Sequence, residues 1–183
     1  MPEKTAVFID AGYLRKINTV KIDFERFIKA LIGNKELHRA YYYDCPPFMP
    51  NSPSEADKSR LIKATQFHQR LKSITRFDVR LGKLRLKGYD SKNQPIFEQK
   101  RVDLLLGLDI AAVIRATPRI IDSIVILTGD GDMLPAMLAA KEAQVIVHLA
   151  HGVKPNYDQE LWDNADERLL LDTEFFRNLQ LIP

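Results

Sequence analysis

The chain has 183 residues, of which 45% are hydrophobic and 28% are charged, a size and composition typical of one globular domain with a full core. The sequence begins without a basic, apolar leader and contains no apolar run near the roughly 18 residues that span a bilayer, so we expect neither a secreted nor a membrane protein. Its single cysteine, Cys45, cannot form an internal disulfide, which favours the reducing cytoplasm.

The charge is distributed unevenly along the chain. Residues 58–101 carry 13 lysines and arginines against three acidic residues, whereas the remainder has 14 basic and 21 acidic residues. Because phosphate contacts dominate the affinity of proteins for nucleic acids, this asymmetry favours a polyanionic partner. The alternative is a solvated helix face followed by a charged edge hairpin.

Five short apolar runs separated by helical patterns predict a mainly parallel sheet. The strands are predicted at residues 5–9, 39–43, 77–81, 124–128 and 144–149. Helices are predicted to begin near Asp23, Ser54 and Asp103, where a capping side chain precedes an apolar pattern. We therefore expect an α/β fold in three layers, with a doubly wound sheet of five to six strands between two layers of helices.

A small β-hairpin is predicted after the third strand. Residues 83–87 alternate between basic residues and leucines, which predicts one basic and one apolar face. A turn at residues 88–93 and a second run at residues 95–98 would return the chain. The basic residues expected to hold phosphate groups are Lys83, Arg85, Lys87, Lys100 and Arg101.

Acidic residues directly follow two of the predicted strands. Asp10 ends the first strand, and the turn 129–132 (GDGD) ends the strand at 124–128. Right-handed crossovers would place these two strands side by side, at the switch point where open α/β sheets bind ligands. The helix that begins at Asp103 leads into the same region. Clustered carboxylates repel one another, and a hard divalent ion such as Mg²⁺ or Mn²⁺ would relieve this repulsion.

Two other interpretations of the glycine-aspartate turn stay open. In the first, Asp132 caps the following helix and Asp130 is a solvated turn residue. In the second, Gly129 and Gly131 begin a dinucleotide-binding turn. That interpretation is weakened by Leu134 at the third glycine position and by carboxylates that would repel a pyrophosphate.

Three blocks, VFIDAGYL, KRVDLLLGLD and VILTGDGDMLPAM, resemble in this order the signature blocks of the NYN domain. The resemblance is to the group similar to LabA and the limkain-type proteins, within the PIN-like nuclease superfamily. It spans residues 4–172 and implies a PIN-like fold, with residues 1–183 forming one domain. The chain departs from many relatives at Tyr13, where they have an asparagine, so one polar helper of a metal ion is expected to be missing.

The resemblance implies a metal-dependent ribonuclease with Mg²⁺ or Mn²⁺ as its cofactor. The positions that match the acidic residues of the family, and would act as catalytic and metal-binding groups, are Asp10, Asp103, Asp130 and Asp132. Asp109 also matches a recurrent family position. It lies in an otherwise apolar helical pattern, where an unpaired carboxylate is costly, so we expect it to face a polar cleft or to pair with a base. We expect Asp109 and Thr128 to support the metal ligands from behind.

Three functional hypotheses follow from these observations. The first is a cytoplasmic endoribonuclease acting on single-stranded or structured RNA, with Tyr42, Tyr43, Tyr89 or Phe97 stacking on bases. The second is a non-catalytic RNA-binding or regulatory adaptor that keeps the fold and uses its aspartates as helix caps. The third is a metal-dependent phosphohydrolase acting on nucleotides. Exposed apolar edges are compatible with a homodimer.

Overall fold

The structure is a computed structural model that describes residues 2–92 and 94–181, and strands alternate with helices along this part of the chain. Its strands are β1 (Lys4–Asp10), β2 (Glu36–Asp44), β3 (Phe77–Leu81), β4 (Lys83–Tyr89), β5 (Pro95–Lys100), β6 (Ser123–Leu127), β7 (Ile146–His151) and β8 (Glu167–Leu170). Its helices are α1 (Ala11–Ile17), α2 (Phe24–Ile32), α3 (Glu55–Lys72), α4 (Val102–Ile114), α5 (Leu134–Glu142), α6 (Gln159–Asn164) and α7 (Thr173–Arg177), with a single 3-10 turn at Gly131–Met133. Within the described residues, no helix is both long and apolar enough to cross a bilayer.

Six of the strands form one parallel sheet in the order β3-β2-β1-β6-β7-β8. Ile9 of β1 lies opposite Tyr42 of β2 on one side and opposite Leu127 of β6 on the other. The chain winds outward through β2 and β3 to one edge, and later through β6, β7 and β8 to the other. The change of direction therefore falls between β1 and β6, which confirms the doubly wound fold and the predicted neighbours at the switch point.

Helices cover both faces of this sheet. One layer contains α1, α2, α3 and α7 and packs on Val7, Ile9 and Leu127. The other contains α4, α5 and α6 and packs on Phe8 and Ile126. Because neighbouring side chains on a strand point to opposite faces, β1 and β6 each supply both cores. This is why their sequences are continuously apolar and do not alternate.

The sequence did not predict α1, which follows β1 with no loop between them. Asp10 ends the strand and caps the helix, since its Oδ1 accepts hydrogen bonds from the backbone N–H groups of Gly12 (2.8 Å) and Tyr13 (3.2 Å). A seven-residue helix has too few turns for a recognisable apolar pattern, and most of its stability must come from packing of Tyr13 and Leu14, which are both buried.

Strands β4 and β5 form the predicted small hairpin, which is a separate two-stranded antiparallel sheet. Gly82 allows the open end of the hairpin, where β4 begins and β5 ends, to pack closely against the start of α4. A Cβ at this position would lie 2.6 Å from the carbonyl oxygen of Lys100 and 2.8 Å from Cγ2 of Val102. Asn93, in the predicted turn of the hairpin, lies outside the described residues.

Asp109, which interrupts the apolar pattern of α4, is paired with a base. Its Oδ2 accepts hydrogen bonds from the Tyr43 hydroxyl (2.9 Å) and from Nε of Arg80 (3.0 Å). Burial, with the nearby Asp109 carboxylate, raises the pKa of the Tyr43 hydroxyl, so this group stays protonated and donates. The contacts join α4 to β2 and β3 and so fix the helix that carries Asp103.

Replacing Asp109 by alanine is expected to lower the free energy of unfolding by about 2 to 3 kcal/mol, because the buried Tyr43 hydroxyl and Arg80 both lose a charged acceptor. Asp163→Ala on α6 is the matched control, since the Asp163 carboxylate accepts from the exposed Gln159 side chain. The control is expected to change the free energy by no more than about 0.5 kcal/mol. Urea denaturation measures both values, and equal stability of the two variants would contradict the structural role of Asp109.

Candidate functional site

A crevice of about 580 Å³ opens where β1 and β6 end, at the switch point of the sheet. The polar and charged side chains that carry its chemistry are Asp10, Lys16, Gln99, Asp130, Asn156 and Asp158. They come from four parts of the chain: the end of β1 with helix α1, the hairpin, the turn after β6 and the loop between β7 and α6. The ends of parallel strands and the adjoining loops thus converge on one region, as expected for this class of sheet.

Three carboxylates of the crevice are held by backbone N–H groups at the start of helical segments. Asp10 caps α1 through Oδ1, as described above. Oδ1 of Asp130 accepts from the N–H of Asp132 (3.0 Å), and Oδ1 of Asp158 accepts from the N–H of Glu160 (2.8 Å). In each carboxylate, Oδ2 accepts no hydrogen bond from the described residues, which leaves one oxygen for a ligand.

The two glycines of the turn make room for other parts of the protein. A Cβ at Gly129 would lie 2.4 Å from the carbonyl oxygen of Asn156 and 2.4 Å from Cε2 of Tyr13. A Cβ at Gly131 would lie 3.0 Å from Cγ of Asp158. The loop between β7 and α6 therefore packs directly on the turn. This packing gives the glycines a role that requires no dinucleotide.

Asp103 and Asp132 stand beside the crevice and share its electrostatic field. Burial raises the pKa of Asp10, and the Asp103 carboxylate raises it further, against the lowering effect of the backbone N–H groups. Burial also raises the pKa of Asp103, and Asp130 and Asp132 add to this increase. Residues far apart in sequence thus form one region of negative charge.

The described residues do not enclose a metal ion by themselves. Among residues 2–92 and 94–181, no three histidine, cysteine, aspartate or glutamate side chains lie close enough to hold an ion together. Mg²⁺, however, keeps several of its waters and is usually bound through one or two carboxylates with substrate phosphates. The Oδ2 atoms of Asp10, Asp130 and Asp158 are hard donors, so the residues fit a hydrated Mg²⁺ or Mn²⁺ that at most two carboxylates bind directly. The predicted set of four ligands stays a prediction.

The interpretation of Asp132 as a helix cap is wrong. Asp130 caps the 3-10 turn, and α5 begins after Met133 without a side-chain capping bond. Asp132 is free of this role because the 3-10 turn moves the start of the α-helix further along the chain. Thr128 is buried, and its hydroxyl accepts a hydrogen bond from the N–H of Asp130 (3.2 Å), so it lies directly behind the turn.

The residues expected to support the site differ in their placement. Asp109 bonds to Tyr43 and Arg80 and makes no hydrogen bond with the crevice aspartates in the described chain, so its supporting role stays a prediction. Tyr13, where the family resemblance led us to expect asparagine, is buried, and its hydroxyl accepts a hydrogen bond from the N–H of Gly152 (3.0 Å). Tyr13 therefore ties α1 to the end of β7.

Two of the four predicted stacking residues are excluded by burial. Tyr42 and Tyr43 are only 2% and 0% exposed, so the prediction that they stack on bases is wrong. They lie on β2, which helices cover on both faces, and each ring enters one core. Tyr89 and Phe97 on the hairpin are 61% and 39% exposed and are accessible to a base.

Asp44 lies at the same edge of the sheet, but both of its carboxylate oxygens have hydrogen-bond partners within the protein. Its Oδ2 bonds to Nε2 of His68 (2.9 Å), and its Oδ1 accepts from Arg15 (2.9 Å). Burial alone would raise the pKa of Asp44, but the hydrogen bonds from His68 and Arg15 outweigh burial and lower it. Asp44 is therefore not a candidate ligand, and His68 is satisfied within the core.

Sequence reasoning did not find four of the crevice side chains: Lys16, Gln99, Asn156 and Asp158. Asp158 had a detectable signal, because it precedes a short helical pattern as Asp23 does. Its place in the crevice depends on how the loop after β7 packs. The basic residues Lys83, Arg85, Lys87, Lys100 and Arg101 are exposed on or beside the hairpin, and the crevice lining does not include them.

Comparison with solved structures supports the fold. A protein of unknown function, VPA0982 from Vibrio parahaemolyticus, is 22% identical with a TM-score of 0.62, and the match covers 95% of this chain and 96% of that chain. LpCGTa, solved in complex with UDP, is 12% identical with a TM-score of 0.40 over 82% of this chain and 31% of that chain, and so supports no inference. The curated proteins contain no match.

Comparison with protein families gives a direct result, since the NYN domain matches residues 4–172. The NYN domain is a PIN-like nuclease family, whose members generally bind RNA and generally depend on a divalent metal. The matched region includes all three crevice carboxylates and the whole parallel sheet. With this match over most of its length, the chain belongs to the NYN domain family.

Proposed function

We propose that this NYN domain is an endoribonuclease that depends on Mg²⁺ or Mn²⁺ and hydrolyses RNA phosphodiester bonds in the crevice. The observation that carries the proposal is a set of three carboxylates, those of Asp10, Asp130 and Asp158. Each caps a helical segment through Oδ1 and leaves Oδ2 for a ligand. Oxygen donors of this kind suit a hard divalent cation. Membership of a PIN-like nuclease family supports the reaction class.

We assign the cation to Asp130 and Asp158, because Asp158 packs against Gly131, next to Asp130 in the chain. Asp103 and Asp132 add negative charge around the same position and so favour a cation there. When bound, the cation supplies positive charge to the phosphate oxygens of the substrate. This charge is needed because the crevice aspartates would otherwise repel the RNA backbone.

We assign to Asp10 the role of the general base that removes a proton from the attacking water. Burial and the Asp103 carboxylate raise the pKa of Asp10, which makes it a stronger base than an ordinary aspartate. The water oxygen bonds to phosphorus, the bond from phosphorus to the leaving ribose oxygen breaks, and that oxygen takes a proton from solvent. Lys16 and Gln99 line the same crevice, and both carry N–H donors suited to phosphate oxygens.

A non-catalytic RNA-binding adaptor is the second candidate function. The observation that favours it is that all three crevice carboxylates already act as caps, while no three metal-binding side chains of the described chain lie close enough to hold one ion. The adaptor would bind RNA in a salt-dependent manner and would not turn it over with metal.

We further infer that the protein is a member of the LabA- and limkain-like group, on the three sequence blocks that resemble it. We also infer one NYN domain acting in the cytoplasm, where a lone cysteine such as Cys45 stays reduced. Leu104 and Leu108 on α4 are 63% and 57% exposed, and this apolar strip supports the proposal of a homodimer.

Asp130→Asn is expected to reduce RNA cleavage in Mn²⁺ by about 100-fold or more, because it removes a charge from the reacting region. Asparagine is as good a cap as aspartate, so the turn should remain folded. The matched control is Asp23→Asn, since Asp23 caps α2 through two backbone N–H groups (2.9 and 3.1 Å) without lining the crevice. Equal cleavage by Asp130→Asn and the wild type would reject catalysis at this site.

Asp158→Asn tests the residue that sequence reasoning missed. If Asp158 binds the cation, this variant is expected to need about tenfold more Mn²⁺ for half-maximal cleavage, or to lose cleavage. Its melting temperature should match that of Asp23→Asn. A Mn²⁺ titration of cleavage, read together with thermal unfolding, separates the two roles. An unchanged Mn²⁺ requirement would leave Asp158 as a helix cap alone.

The pKa of Asp10 is expected to lie above 3.8 in the metal-free protein and to fall in Asp103→Asn, because that change removes a repelling charge. Because its pKa is raised, Asp10 binds a proton more tightly in the folded chain than in the unfolded chain. Its contribution to stability is therefore lost as the pH rises from 3.8 through the pKa of the folded state. Carboxyl ¹³C NMR measures the titration directly. A pKa of Asp10 at or below 3.8, or an unchanged pKa in Asp103→Asn, would contradict the electrostatic interaction between Asp10 and Asp103.

A further inference from the structure

The two faces of the hairpin carry different chemistry. In an antiparallel pair, residues directly opposite each other point to the same face. Leu84 lies opposite Gln99, and Leu86 lies opposite Phe97, so these four side chains share one face, which we call the inner face. The opposite side, called the outer face, carries the basic residues. Its paired positions are Lys83 with Lys100 and Arg85 with Glu98.

The inner face is occupied by contacts with the body of the domain. Nε2 of Gln99 lies 3.1 Å from the position that a Cβ on Gly12 would take, so this side chain forms part of the crevice wall. The Phe97 ring packs on Phe48 of the loop between β2 and α3, with 5.4 Å between ring centroids. Since the inner face meets the crevice, the outer face points away from it.

The outer face is an exposed surface of positive charge. Lys83, Arg85 and Lys87 are all exposed, and none of them forms a salt bridge within the described residues. Glu98 is the one acidic residue at a paired position of this face, and Nζ of Lys100 contacts its Oε1 at 2.8 Å. The three remaining cations are therefore available to an anionic partner.

We propose that the outer face of the hairpin binds the backbone phosphates of RNA that extends beyond the crevice, to one side of the bond that is cleaved. The identity of the polyanion as RNA rests on the proposed function. Alternate residues on a strand lie about 7 Å apart, similar to the separation of successive phosphates in an extended single strand. The spacing of Lys83 and Arg85 thus suits consecutive phosphates of one strand, and Lys87 extends this row at the β-bulge between Leu86 and Gly88.

The chemistry of this surface determines how it would recognise RNA. In the described hairpin, the exposed rings of Phe97 and Tyr89 lie at positions paired with Leu86 and Pro95, and not with the basic residues. Apart from the exposed Ile96, which lies opposite Gly88, contacts at the outer face are therefore electrostatic, independent of base sequence and sensitive to salt. Short RNA that fills the crevice alone would not reach this surface, whereas longer RNA would.

The test compares two triple variants in the Asp130→Asn background, where RNA stays intact. The hairpin variant combines Lys83→Gln, Arg85→Gln and Lys87→Gln. The control combines Lys63→Gln, Arg70→Gln and Lys72→Gln, which removes the same charge from exposed positions of α3. Fluorescence anisotropy measures the affinity of the full chain for oligouridine of about 4 and about 16 nucleotides, lengths that bracket common single-strand sites.

The hairpin variant is expected to bind the long RNA about tenfold or more weakly, and its slope of log affinity against log salt should fall by about 2, since about 0.7 counterions are released per phosphate contact. Its affinity for the short RNA and both affinities of the control should change less than about twofold, because exposed charges more than about 8 Å from the bound RNA are largely screened. Because binding is measured without turnover, a failure of catalysis would leave this test intact.

Three outcomes would overturn the proposal. Unchanged long-RNA affinity would show that the outer face does not bind RNA. Equal losses in the hairpin and control variants would show an effect of net charge alone. If the hairpin variant lost binding to vesicles containing phosphatidylserine but kept its affinity for long RNA, the outer face would be assigned to anionic lipid.

Discussion

Hydrogen bonds from backbone N–H groups to carboxylates are the interaction on which this site depends. Burial raises the pKa of Asp10, and the hydrogen bonds from Gly12 and Tyr13 lower it again, so the carboxylate is held in place by groups that also favour its charge. Backbone N–H groups also hold the carboxylates of Asp130 and Asp158 in place. The caps therefore let the fold bring several like charges together before any cation arrives, and they set which oxygen of each carboxylate faces a ligand.

A carboxylate at this edge of the sheet can bind a ligand only if one of its two oxygens has no partner within the protein. In Asp44, one oxygen contacts His68 and the other contacts Arg15, which leaves neither for an ion. In Asp10, the described hydrogen bonds involve one oxygen only. The two residues end neighbouring parallel strands, so position alone would not separate them. The partners of each oxygen do separate them, and this distinction supports Asp10 as a functional residue.

The parts of the site that could be predicted from sequence are those that follow from strands. Right-handed crossovers place β1 beside β6, and this alone brings Asp10 and Asp130 to one edge. Asp158 follows β7 by a loop whose path depends on Gly129, Gly131 and Tyr13, and no local pattern encodes such packing. Gln99 reaches the crevice through the orientation of the hairpin. The expectation for Tyr42 failed because its aromatic strand is covered on both faces, which a lone run of tyrosines does not reveal.

Under the proposed function, the acidic crevice and the basic hairpin would together overcome the repulsion between the crevice aspartates and an RNA strand. A polyanion approaching Asp10 and Asp130 meets repulsion, which a bound cation can offset only within the crevice itself. At physiological ionic strength, charges act over about 8 Å, so cations placed on the outer face attract the strand beyond the reach of the crevice aspartates. The attraction grows with the number of phosphates that reach the hairpin. Under the proposed function, the separation of these charges between the crevice and the outer face of the hairpin would let the aspartates hold a cation while the basic residues attract a long RNA strand.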